Sequence, residues 1–269
     1  MLSGIINALF GNTSRLTGAS PFSIDRATAP FDQQLTEVPA FFEEFRSKGT
    51  PPKRDPFETD AEYAARLPAP LDQQRVFYFA MPPPEYNPAY QYNVDSQLLS
   101  VYGSYFSVSF DEESSWYGKL KVQIRHDDAY AGSHNVQNTF GAKYSVRESL
   151  KTSYYFHLDG KPHHYDSLLQ QLGPHSGRDI SKHFCITVPM ERSLARATVE
   201  DVCLVVGLGF YSWARSKFTH CGGILDDVTI DRPNLDRYAL YDIDARFVSL
   251  QLVNRKSGMK IVSYTRSNE

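Results

Sequence analysis

The chain has 269 residues, 41% of them hydrophobic, enough to bury one large core or two smaller ones. Its formal net charge of -3 gives no electrostatic pull toward nucleic acid or an anionic membrane surface. Three cysteines, Cys185, Cys203 and Cys221, without C-x-x-C spacing argue against a disulfide framework and against a structural zinc centre.

Residues 1–10 are apolar but lack a basic n-region and are broken by Asn7, so they read as a docking or fraying segment and not as a signal peptide. The longest apolar run, residues 202–210, falls short of the about eighteen residues a membrane span needs. A cytoplasmic location is the default expectation, with association to the cell envelope left open. Residues 11–34 read as an irregular arm anchored by Phe22, Ile24 and Phe31.

A helix is predicted over residues 36–48, with Pro39 in its first turn, a stripe of Phe41, Phe42 and Phe45 toward the core, and Gly49 at its end. After a Pro-rich linker, a second helix has two overlapping start signals. Asp55-Pro56-Phe57-Glu58 offers an acidic N-cap with Pro at N1, and Thr59-Asp60-Ala61-Glu62 is a capping box one turn later. Phe57, Tyr63 and Leu67 are expected to share its apolar face. Residues 76–80 (VFYFA) read as a strand buried on both faces, closed by Pro82-Pro83-Pro84.

The clearest β-pattern spans residues 98–158. Phe140, Ala142, Tyr144 and Val146 alternate with Gly141, Lys143, Ser145 and Arg147, the period of two of a strand with one face buried. Residues 105–110, 120–124 and 154–158 alternate in the same way, and the segments 111–115, 127–133 and 147–152 read as turns between them. The expected unit is a four-strand antiparallel meander with one polar face.

In the second half, residues 166–172 read as a short helix. The strand 183–188, the helix 190–198 and the apolar strand 202–208 then resemble a small βαβ crossover. Residues 212–227 read as a long excursion. At the C-terminal end, Ala239, Tyr241, Ile243, Ala245 and Phe247 alternate, after which Val248, Leu250 and Leu252 take over. A parity flip without a turn predicts a β-bulge near Phe247. A last strand covers residues 259–264.

Several stretches resemble a set of uncharacterised bacterial proteins that share an acidic-aromatic helix followed by a β-rich body. They are residues 56–67 (PFETDAEYAARL), 92–97 (YNVDSQ) and 137–143 (QNTFGAK), together with the strand, polar turn, Gly and strand order from Phe247 through Gly258. The resemblance implies a β-rich bacterial accessory domain and carries over no catalytic residue.

The densest set of potential metal ligands is His126, Asp127 and Asp128 with His134. In a loop between paired strands these side chains would converge, and imidazole with carboxylate suits Zn or non-haem Fe. The same residues also fit a plain Asp-Asp turn with solvated histidines. His163 and His164 with Asp166 form a second, poorer cluster, because adjacent side chains on an extended chain point opposite ways. No G-x-S-x-G elbow is present, and Gly207 and Gly209 lack the third glycine of a dinucleotide fingerprint. Only Cys221, beside His220 in the long excursion, is placed where a thiol would be exposed. Trp213, Arg215, Lys217 and His220 supply an aromatic and basic surface suited to partner or glycan contact.

The sequence therefore predicts an α+β protein with a mainly antiparallel sheet or sandwich of about eight to ten strands and helices near the N-terminus. Three segments are expected: an arm and helix over 1–54, a helix and meander over 55–160, and a β-rich part over 161–269, with continuity of the last two left open. The expected function is a non-enzymatic binding or assembly module that engages a protein partner, with no cofactor, no nucleic acid and no membrane span. The alternatives are a metal-dependent enzyme that uses the 126–134 cluster with Zn or Fe, and a glycan-binding module.

Overall fold

A computed structural model describes residues 22–49, 52–84, 88–109, 119–137, 139–160, 162–171, 182–211, 218–224 and 234–266. The alternating aromatic and β-branched residues fold into strands that dominate the chain, and helices are few and short. In order, the elements are β1 (Phe22–Asp25), β2 (Ala29–Pro30), α1 (Val38–Gly49), α2 (Asp60–Arg66), β3 (Val76–Ala80), β4 (Tyr90–Asn93), β5 (Leu98–Ser109), β6 (Lys119–Gln137) and β7 (Lys143–Leu158). A 3-10 turn (Pro162–Leu168) then leads to β8 (Leu169–Gln171), β9 (Lys182–Pro189), α3 (Arg192–Thr198), β10 (Val202–Gly209), β11 (Phe218–Ile224), β12 (Asn234–Asn254) and β13 (Met259–Arg266).

The strand β12 ties the molecule together. Residues 234–245 pair in parallel with β7, and 237–243 among them also pair with β11 on the other side. Residues 246–254 lie between β10 and β13, both antiparallel. The parity flip expected near Phe247 falls where the strand changes neighbours: Gly207 pairs with Ser249 and Leu208 with Phe247, leaving Val248 as the bulged residue. The extra residue turns Leu250 and Leu252 back to the core, where both are fully buried.

Asp159 pins this crossover from the end of β7. Its backbone N–H donates to the Ala245 carbonyl at 3.0 Å, and its carboxylate accepts from the Phe247 N–H at 3.0 Å and Arg266 Nη1 at 2.9 Å. Gly160 follows with φ of 88°, and a Cβ there would meet Arg266 Nη2 and His164 Nδ1 at 3.3 Å, so the turn needs glycine on both counts. Strands from either side of Gly160 interleave, since β12 pairs with β7 and β9 with β5.

The core is aromatic. The stripe on α1 predicted from sequence is buried: Phe41 lies 5.0 Å from the Phe77 ring and 4.9 Å from Phe210, and Phe42 lies 5.2 Å from Phe156. The second helix has the predicted capping box, with the Thr59 Oγ1 and Glu62 side chains each satisfying the other's backbone N–H. It buries no residue, and Phe57 is 96% exposed in the turn before it, so the expected shared apolar face is not formed. The strand β3 is buried on one side only, through Phe77 and Phe79.

Three further expectations are corrected. Segments 127–133 and 147–152 are not turns but the interiors of β6 and β7, which form one long hairpin. Its tip includes residues 139–142, where Phe140 is 94% exposed rather than inside a strand. No βαβ unit links β9 and β10, because β9 pairs with β5 and β8 whereas β10 pairs with β3 and β12. The predicted helix over 166–172 is not formed across its described part, 166–171, where the 3-10 turn passes straight into β8. The described sheet is mixed, because the β7–β12 ladder is parallel. Among the described residues no helix is long and apolar enough to cross a membrane.

Candidate functional site

At its base the β6–β7 hairpin belongs to the core, through Leu120, Val122, Ile124, Phe156 and Leu158. Past Ile124 no residue of β6 is buried, and over 143–152 of β7 only Val146 is. The outer part is therefore an arm flanked on one side by the first half of β12 and by β11. Strand periodicity sorts its side chains onto two faces, with register shifts between Gln123 and Arg125 and between Tyr130 and Gly132 resetting the phase on β6.

One face is a polar ladder. Its rungs are Lys121 with His157, Gln123 with Tyr155 and Asp242, His126 with Ser153, Asp128 with Lys151, and Tyr130 with Ser149 and Asp236. Near the base, the Asp242 carboxylate lies 2.9 Å from Lys121 Nζ and 3.3 Å from His157 Nε2. Burial acts to raise the Asp242 pKa, but the close approach of His157 and Lys121 outweighs it and holds the group below the ordinary carboxylate range. The Oδ1 atom has no well-aligned donor, so the attraction is Coulombic more than directional. The Lys121 ammonium also sits 4.1 Å above the Tyr155 ring, whose hydroxyl is pushed up by burial.

Farther out, His126 Nδ1 lies 2.8 Å from Ser153 Oγ. This has the spacing of a nucleophile and its base, but Ser153 is 6% exposed and closed off from a substrate, so the pair acts as a cross-strand link. On the outermost rungs Ser149 Oγ and Lys151 Nζ donate to the two Asp236 oxygens at 2.5 and 2.6 Å, and these bonds, Lys151 first, lower the Asp236 pKa. The Arg147 guanidinium lies 5.2 Å from the Tyr130 ring centre. Together Asp128, Tyr130, Arg147, Ser149, Lys151 and Asp236 line a hollow of about 460 Å3. A hollow of about 430 Å3 over α3 is lined only by residues 191–197 and gathers no side chains from other elements.

The four metal-ligand candidates do not meet. His126 and Asp128 point to the polar face, whereas Asp127 and His134 belong to the opposite one. At about 3.3 Å per residue, His126 and His134 lie on the order of 25 Å apart along the strand. Asp127 accepts from Arg125 Nε at 2.8 Å, and His134 Nδ1 lies 3.3 Å from Glu148 Oε1. Among the described residues no three His, Cys, Asp or Glu side chains form a set that could hold a metal ion.

Trp213, Arg215 and Lys217 lie outside the described residues. His220 lies in β11 and pairs through its backbone with Tyr241 of β12, so part of the expected excursion is strand, and the side chains of His220 and Cys221 lie outside the described set. His164 sits in the 3-10 turn beside Gly160, and Asp166 is exposed. Burial pushes the Cys185 thiol up to about 11 and raises Cys203 as well, so neither is poised as a thiolate. Gly207 and Gly209 serve packing: a Cβ on Gly207 would meet Ser249 Oγ at 2.5 Å and one on Gly209 would meet Arg246 Nη2 at 2.8 Å.

Arg147, Ser149, Lys151, Ser153 and Asp236 did not stand out in the sequence as members of one group. A signal was present, because the odd-numbered residues from Arg147 to Ser153 are all polar, but the charged run at 147–151 reads as a turn when the partner strand is unknown. No family model matches this chain, and no curated protein or solved structure does either.

Proposed function

We propose that the protein is a non-enzymatic binding or assembly module that engages a protein partner through the outer β6–β7 arm. One observation carries this: a folded arm that projects its strands past the core and collects charged and aromatic side chains around a hollow remote from the aromatic centre. Tyr130, 59% exposed beside Arg147, is the kind of residue pair that anchors protein interfaces. Lys151 and Ser149 are already fixed on Asp236, which lowers the ordering cost of a polar contact. Phe140 at the tip and Leu150 add exposed apolar surface. The sharing of β12 between two sets of strands supports a two-layer, sandwich-like body behind the arm.

A photo-cross-linking amino acid at Tyr130 tests the proposal, with the same group at Val94, in the exposed turn between β4 and β5, as control. Polypeptide adducts in a native extract from position 130 and not from 94 are the expected result. Equal labelling from both positions would remove the arm's special role. The glycan alternative is favoured by one feature, the exposed Tyr130 ring in the hollow that Asp128 and Asp236 also line, and predicts retention on polysaccharide that Tyr130→Ala abolishes.

A further inference from the structure

We infer that the partner of the arm is a second copy of this chain, joined edge to edge along β6; this rests on the binding function proposed above. The inner edge of β6 pairs with β7 along its whole length, whereas its outer edge pairs with β5 only over residues 119–122. Among the described residues no strand covers residues 123–137 on that side. An uncovered strand edge is a template for one more strand.

The residues themselves select the register. Two identical strands paired antiparallel about a two-fold axis place residue i opposite j with i + j constant. The shift between Tyr130 and Gly132 leaves Ala131 without a β7 partner and reverses which side chains share a face. Before it, odd-numbered Asp127 and Ala129 lie on the face opposite the polar ladder; after it, even-numbered Gly132, His134 and Val136 do. For a contact that spans this shift, faces of the two copies therefore match only when the axis passes between two residues and not through one.

With the axis between Tyr130 and Ala131, Asp127 of one copy stands opposite His134 of the other, twice. Ala129 stands opposite Gly132, Asp128 opposite Ser133 and Arg125 opposite Val136. No like charges face one another, and at the centre Tyr130 of each copy stands opposite the small Ala131 of the other. Within one chain Glu148 already flanks His134, and Arg125 flanks Asp127 and reaches Glu37 Oε1 at 2.9 Å. Joining the copies completes a row in which acidic and basic side chains alternate, Glu148, His134, Asp127, Arg125 and Glu37, that crosses the new boundary. All of the side chains in the new contact are accessible, His134 at 49%, Arg125 at 42% and Asp127 at 37%.

The test is sedimentation equilibrium of the full chain across a wide concentration range, beside His134→Asp and His134→Lys variants. The wild type should pass from the 30.5 kDa chain to twice that mass and stop there, because an isologous contact closes. His134→Asp sets like charges opposite one another at two equivalent places and should weaken association by at least about tenfold. His134→Lys should keep it, with the thermal unfolding midpoint of both variants near that of wild type. A wild type that stays monomeric, a mass that grows past two copies, or a His134→Asp protein that dimerises like wild type would each overturn the inference. A monomer that still gives Tyr130 cross-links to other polypeptides would leave the binding function standing and remove only the second copy as its partner.

Discussion

Asp242 is 8% exposed, yet it lies on the polar side of the sheet, held by Lys121 and His157. Its folded pKa is depressed, so its contribution to stability is full above the unfolded value of about 4 and is lost as pH falls through the lower folded value. Acid unfolding should show this directly: Asp242→Asn should lose about 3 kcal/mol at neutral pH, because it strips the charge partner from a mostly buried lysine. Its stability should then change less with pH below about 4 than that of wild type. Parallel loss in both proteins across that range would show that the depression is not real. None of this was legible in the sequence, where Asp242, Lys121 and His157 are 85 or more residues apart in two of their three pairings and belong to three strands. The Phe41, Phe42 and Phe45 stripe was legible, because helix periodicity alone places it on one face.

Elements were readable where the pattern is local. The Thr59 capping box is set by four adjacent residues and forms as expected, but α2 buries nothing, so its own stability barely couples to the fold. Thr59→Ala should therefore fray the helix while changing global stability by less than about 0.5 kcal/mol, well under the roughly 1 kcal/mol of a cap in a packed helix. A larger loss in urea unfolding would mean that α2 docks on the body. The bulge at Val248 was legible from parity alone: deleting Val248 closes the bulge and keeps Leu250 and Leu252 on the core face, whereas inserting one alanine after Ser249 turns both to the opposite face and should be severe. Retention of a cooperative transition near the wild-type midpoint in the insertion variant would contradict that register. The 126–134 segment was misread because Asp-Asp and Gly132 carry turn chemistry, whereas β7 alongside keeps them extended through nineteen residues of β6. Tertiary pairing overrode local preference, and the same override dispersed the imagined metal ligands over two faces.

At the scale of the molecule, β12 places an aromatic core and a polar arm on one continuous strand. Its outer half carries Asp236 into the hollow, and its inner half buries Phe247, Leu250 and Leu252. The parallel pairing of β7 with β12 is a long-range contact that no period in the sequence announces, and without it the arm would be an isolated hairpin of marginal stability. With it, the arm sets Arg147 beside the exposed Tyr130 ring, and under the proposed binding role that arrangement lowers the ordering cost of a contact. The most direct measurement of that role is photo-cross-linking from Tyr130 against the Val94 control. Polypeptide adducts concentrated at the arm are the predicted result, and labelling no greater at Tyr130 than at Val94 would contradict the account.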